Sequence, residues 1–260
     1  MDEPLHVESR PVGTVDGVAV DGSIRVLTMH RSQARNAMDS ALLTALIDAL
    51  ADAEADPDCR GVALTGADGA FSAGADVKEV EPGTAIRRME LFTVFYGSLS
   101  RLRIPTAAAV EGPAVGGGAE AAAACDLRAA GTSAVFRFPG AVRGIPVGTA
   151  RTIGQVGLST AKDWVLSCRD VNAGEAHERG FVQRLVDDGG ALEAAIEWLS
   201  LVASRRPEAV QLLKRLFNDQ SGLSDRVAWE NDALRAHAET GPLPPGLDRD
   251  LPRTVRPRRT

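Results

Sequence analysis

What most constrains this chain is an alternation read twice along its first half, in which an apolar strand gives way to a helix and the helix to another strand. Residues 24–30 predict a strand, with Ile24, Val26 and Thr28 on one face and Leu27 and Met29 on the other. After a polar loop, Asp39 suits the N-cap of a helix in which Leu42, Leu43, Leu46, Ile47, Leu50 and Ala53 recur at helical spacing, with Pro57 just past its end. Residues 61–65 form the next apolar strand, closed by the turn-rich Gly66-Ala67-Asp68-Gly69. The second unit is a small-residue strand at 106–110, a glycine-rich turn at 112–118, a helix at 119–124 and a strand at 126–130. Alternating units of this kind predict an α/β fold.

Two further strands are expected, at 135–138 and 181–186, the latter closing the core. From Gly190 the chain reads as helical. Ala194, Trp198, Leu199 and Val202, then Val210, Leu213 and Phe217, then Val227, Leu234 and Ala238 keep helical spacing, with breaks near Pro207 and Gly222. The sequence therefore divides into a core (1–189), a helical region (190–240) that packs on the core or a neighbouring subunit, and a tail (241–260). That tail carries five prolines and five arginines against two aspartates, and is expected to be extended or disordered.

Charge narrows the partners. With 35 acidic and 29 basic residues the net charge is −6, which offers no basic footprint for a phosphate backbone, so nucleic acid is not expected as a partner. Cys59, Cys125 and Cys168 form neither an even set nor a Cys-x-x-Cys pair, which fits a reducing compartment better than a disulfide framework or a zinc ribbon. The N-terminus lacks the basic start and apolar stretch of a signal peptide. No run approaches the ~18 apolar residues of a membrane span. The expectation is a cytoplasmic protein without membrane contact.

Two turns stand out, Phe71-Ser72-Ala73-Gly74-Ala75-Asp76 and Val115-Gly116-Gly117-Gly118-Ala119-Glu120, each where a strand passes to a helix. Glycine and alanine permit close approach of a ligand, and the free N–H groups of a helix start point outward with the positive end of the dipole behind them. One such turn alone would be read as tight packing. The pair suggests donors converging on a developing oxyanion.

These stretches resemble a family. Residues 29–38, then Leu64-Thr65-Gly66 leading into 71–76, look like the first signatures of the crotonase (enoyl-CoA hydratase/isomerase) superfamily. Residues 105–110, Gly112, Ala114 through Glu120, and Ala124-Cys125-Asp126-Leu127 match its most diagnostic stretch nearly position for position. The resemblance extends through Phe136, Pro139, Gly144-Ile145-Pro146 and Gly180-Phe181-Val182. It implies a spiral of ββα units, helices at the C-terminus used for trimer or hexamer assembly, and an acyl-CoA thioester as substrate. Coenzyme A would then be part of the substrate, and no separate cofactor or metal is expected. By matching motifs, the N–H groups of Ala75 and Gly117 would hold the thioester oxygen. Arg35, Ala37 and Ala73 fall where relatives line the CoA site, and Gly116 and Gly140 would also border substrate. Arg35 either meets a phosphate or is simply solvated.

Glu120 falls on one of the family's two catalytic carboxylates. The bland reading is a solvent-facing glutamate, but Ala119 and Ala121 to Ala124 make its helix look buried, and a buried glutamate suits proton exchange with a carbon beside a thioester. The second carboxylate is absent. Relatives carry it in a Phe-Gly-x-Pro-Glu run, whereas this chain reads Phe136-Arg137-Phe138-Pro139-Gly140. Hydration needs one group to activate water and another to deliver the α-proton, so the loss favours reactions that use a single proton carrier. The expected enzyme is thus a lyase or isomerase of the enoyl-CoA hydratase/isomerase type. The alternatives are a decarboxylase, thioesterase, dehalogenase or carbon–carbon lyase of the same fold, or a silent acyl-CoA binder. Among lesser candidates, Tyr96 reads as core, Asp76 as a helix cap, and Glu111 has no assigned role. His30 and His177 are not at metal spacing, and no P-loop, HExxH or GxSxG run occurs.

Overall fold

The computed structural model describes residues 3–79 and 84–240; the expected tail at 241–260 lies outside them. The chain opens with a hairpin, β1 (Leu5–Val15) and β2 (Val18–Met29), paired antiparallel around Asp16 and Gly17, both at positive φ. An Asp-Gly pair at this place matches the right-handed twist of the flanking strands. Helix α1 (Ser40–Ala55) follows. Its N-cap is Asp39, whose side chain accepts the Leu42 N–H at 2.8 Å.

Each later turn of the chain then lays one strand in a large sheet and one segment in a smaller layer before a helix returns it. Strand β3 (Cys59–Gly66) is followed by the segment 71–76 and α2 (Thr84–Arg101). β4 (Thr106–Val110) and β5 (Pro113–Val115) precede α3 (Gly117–Ala124). β6 (Leu127–Gly131) and β7 (Val135–Arg137) precede α4 (Gly140–Arg143), α5 (Thr149–Val156) and α6 (Leu158–Ser167). β8 (Val171–Asn172), α7 (Ala173–Glu178) and β9 (Arg184–Val186) lead to α8 (Ala191–Ala203), α9 (Pro207–Gln220) and α10 (Leu223–Thr240).

The large sheet has the order β1-β2-β3-β4-β6-β9 and is parallel from β2 onward; the small one is β5-β7-β8. The alternation expected for β2 is present. Ile24 and Val26 join Ala63, Ala107 and Ala109 beneath Leu199 and the alanines of α8. Leu27 and Met29 point the other way, against Leu42, Leu43 and Leu46 of α1. The expected last strand is shorter than its apolar run. The N–H groups of Phe181 and Val182 both bond back to the Ala176 carbonyl, so these side chains plug the core and pairing starts only at Arg184.

Side-chain size governs how closely α3 is held. All five residues of β4 and everything from Gly118 to Ala124 in α3 are buried, and eight of these twelve are alanine. Buried Arg128 closes the far end of this helix, donating to the carbonyls of Ala122 and Cys125 at 3.1 and 2.8 Å, with its guanidinium 4.9 Å from the Phe181 ring centre. Carbonyls at a buried helix end need such a partner. Thus α3 is fixed at its C-terminal end by a residue outside the site. Among the described residues no helix is long and apolar enough to cross a membrane, and no group of three or more His, Cys, Asp or Glu could hold a metal ion.

Candidate active site

The two glycine turns meet. Ser72 and Ala114 form an isolated parallel bridge, in which the Ser72 N–H donates to the Pro113 carbonyl and the Val115 N–H to the Ser72 carbonyl. Gly74, at φ +88°, sits so close to the second turn that a Cβ there would stand 2.5 Å from the Val115 oxygen and 3.0 Å from the Gly117 nitrogen. Gly116, at φ +53°, precedes Gly117 in the same way that Gly74 precedes Ala75. This left-handed backbone is where glycine is required.

The hydrogen bonds around these turns leave two donors over. The Met38 N–H donates to the Gly74 carbonyl and the Asp76 N–H to the Met38 carbonyl, so that bridge uses the groups on either side of Ala75. The Ala75 N–H has no partner among the described residues. Neither has the Gly117 N–H, which is the first of α3, where an intrahelical acceptor is lacking.

Both turns border a cavity of about 230 Å³. Of the residues singled out in the sequence, Ala73, Ala75, Gly116, Gly117, Glu120 and Gly140 line it. Arg35 and Ala37 do not. Arg35 is exposed at φ +50°, and its carbonyl accepts the Ala73 N–H, while Ala37 is buried behind that turn. Asp76 caps no helix. Its Oδ1 accepts the Lys78 N–H at 2.9 Å, its Oδ2 pairs with Arg31 Nη2 at 2.9 Å, and the residues that follow it, 77–79, are not helical. Tyr96 is a wall residue as well as a packing one. Its ring stacks with Phe92, and its hydroxyl donates to the Gly117 carbonyl at 3.2 Å. Glu111 receives the N–H groups of Gly189 and Ala191 at 3.0 Å and so steadies the start of α8.

Glu120 is buried on α3 and projects into this cavity. Its Oε2 takes Arg151 Nη1 at 3.3 Å, and its Oε1 has no hydrogen-bond partner. Burial is the main reason that its carboxyl is pushed up to about 7; the nearby Glu230 charge adds to this and Arg151 opposes it.

Arg151 and Glu230 were not singled out by sequence reasoning. Arg151 lies on α5, 4 % exposed, with its guanidinium 4.8 Å from the Tyr96 ring centre. Glu230 comes from α10. The inward stripe of that helix runs Leu223, Val227, Glu230, Leu234, and a glutamate at i+3 in such a stripe is the signal that could have found it. At position 140 the chain has no room for more than glycine. A Cβ there would stand 2.8 Å from the Ile145 oxygen and 2.9 Å from the Val147 oxygen.

Comparison with known proteins places this arrangement in a family. Residues 19–240 match the enoyl-CoA hydratase/isomerase family, to which the chain belongs. It is 34% identical over 235 residues to enoyl-CoA hydratase EchA19 of Mycobacterium tuberculosis, covering 87% of each chain. It is 32% identical over 223 residues to the short-chain-enoyl-CoA hydratase of Clostridium acetobutylicum, covering 82% of this chain and 85% of that one. Among solved structures, a monofunctional enoyl CoA isomerase from M. smegmatis superposes with a TM-score of 0.71 at 31% identity, over 86% of this chain and 95% of that one. The fold is therefore that of the crotonases, and the protein is an enzyme of the enoyl-CoA hydratase/isomerase family.

Proposed function

We propose that this enzyme moves a proton between the α and γ carbons of an enoyl-CoA, with Glu120 as its single proton carrier. The observation that supports this reading is one buried glutamate with a free oxygen, set in the same cavity as two backbone N–H groups that lack partners. The thioester carbonyl accepts from Ala75 and Gly117. As Glu120 takes the α-proton, charge collects on that oxygen, and each N–H there is worth ~2.7 to 4 kcal/mol in the transition state. The dienolate is then reprotonated at the γ carbon by the carboxyl that now carries the proton. A carboxyl near neutrality suits both halves of this exchange.

Addition of water would need a second group on the far side of the double bond. In this chain Gly140 stands there without a side chain. The relatives named hydratases keep hydration as the competing reading, and the two are separated by rate. Conversion of but-3-enoyl-CoA to crotonyl-CoA should outpace hydration of crotonyl-CoA, and Glu120→Gln should abolish the former. Hydration faster than isomerisation in the native protein would overturn the assignment. The acyl-CoA would bind with its thioester between the two turns, and Arg35, exposed beside Ala73, would meet a phosphate of the CoA. The exposed apolar side chains Leu212, Leu213, Leu216, Phe217 and Trp229 on α9 and α10 favour a homotrimer or homohexamer, and a monomeric mass by light scattering would exclude both.

A further inference from the structure

The guanidinium of Arg151 stands between two carboxylates from different parts of the chain. Its Nη1 is 3.3 Å from Glu120 Oε2 and 3.9 Å from Glu230 Oε1, and all three side chains are at least nine-tenths buried. Glu230 is itself pinned. Its Oε2 receives the N–H of Thr149 at 2.7 Å, the Thr149 hydroxyl at 2.8 Å and the N–H of Ala150 at 2.9 Å. That oxygen, filled by three donors at the start of α5, has no capacity left to take a proton from substrate. Its other oxygen, Oε1, is the one that faces Arg151.

We propose that Glu230 and Arg151 are positioning residues for Glu120: α10 delivers a carboxylate that anchors α5 and its arginine, and the arginine occupies one oxygen of Glu120 so that the other faces substrate. The inference rests on the reading of Glu120 as proton carrier. Gly148 keeps room for the free oxygen. At φ +99° it lines the same cavity, and a Cβ there would stand 3.3 Å from Glu120 Oε1. The groups that face Glu120 are thus Arg151 from α5, Glu230 from α10 and the Tyr96 phenol from α2, while Arg88, paired with Glu79, and Arg143 lie elsewhere on the cavity wall. Glu230 and Arg151 act on the Glu120 carboxyl in opposite senses, the first favouring its neutral form and the second its charged form.

That opposition gives a test that needs no turnover. The protein is labelled with ¹³C at the glutamate side-chain carboxyl and titrated by NMR, the Glu120 signal being the one lost in Glu120→Gln. In Glu230→Gln, which keeps an acceptor for Thr149 and Ala150, the Glu120 midpoint should fall by about one pH unit or more. In Arg151→Met it should rise, and Arg151→Lys, which keeps the charge, should restore most of the native value. A role confined to capping α5 would weaken the fold and leave the midpoint in place. Unmoved midpoints, or shifts of the same sign in Glu230→Gln and Arg151→Met, would overturn the proposal. Full but-3-enoyl-CoA turnover in Glu120→Gln would instead sink the reading of Glu120 as proton carrier, whatever the titrations show.

Discussion

Glutamine at position 120 should stabilise the protein at neutral pH, and the size of the effect follows from the cavity. In the folded chain Glu120 is raised from its ordinary 4.5 to about 7, chiefly by burial. The native state therefore holds a proton that the unfolded chain has already released between those two values. Stability attributable to this group is present below pH ~4.5 and is lost progressively as pH rises, the loss being complete above ~7. At ~1.4 kcal/mol for each pH unit, the interval amounts to about 3 kcal/mol. Glu120→Gln does not titrate. Its stability relative to the native protein should climb by about 3 kcal/mol between pH 4.5 and pH 8, while but-3-enoyl-CoA turnover disappears. Urea unfolding of both proteins at several pH values across that range, at one fixed protein concentration, measures the difference, and the titrations that the two share cancel. A stability difference that stays constant with pH would refute the claim that Glu120 is held protonated by its surroundings.

Two substitutions probe the backbone of the site. Gly74→Ala places a methyl 2.5 Å from the Val115 oxygen in a left-handed conformation, which should cost roughly 1–3 kcal/mol of stability and separate the two donor turns, lowering turnover about 10²-fold or more; unchanged turnover in a folded Gly74→Ala protein would show that the contact between the turns does not matter. Gly140→Glu must push aside the carbonyls of Ile145 and Val147, so crotonyl-CoA hydration should stay low and the melting temperature should drop. Strong hydration without loss of stability would show that the loop at 145–147 can make room.

The parts of the molecule readable from sequence are those fixed by local pattern. The alternation in β2, the Asp39 cap and leucine stripe of α1, and the breaks at Pro207 and Gly222 depend on neighbours within a turn or two, and the structure has them at these places. Strand β1 escaped notice because it is an edge strand with most side chains in water, so it lacks the apolar alternation of a half-buried strand. Its real signal was Asp16-Gly17 between two valines. Around the cavity, Ala75, Gly117 and Glu120 could be brought forward because they lie in two short contiguous turns, and all three line it. Arg151 and Glu230 were not, since they lie 31 and 110 positions from Glu120 and only packing of α5 against α3 and of α10 against α5 brings them together. Asp76 misled for a related reason. A capping residue type was read onto the nearest helix, while its actual partner, Arg31, lay 45 positions upstream.

The two unpartnered N–H groups belong to the main chain, and this divides the labour of the cavity. Any residue other than proline supplies the same donor at position 75, so on the proposed reading the gene can drift there without altering the chemistry. Position 117 is less free, because a side chain would run into Phe92 at 2.8 Å. The cavity is also lined by Met89, Phe92 and Thr93 from α2 and by Asn231 and Leu234 from α10. Its shape can change residue by residue while the reaction persists. On the proposed reading, a lineage built on this plan can explore new acyl groups cheaply, by rewriting two helices and leaving the two donor turns alone.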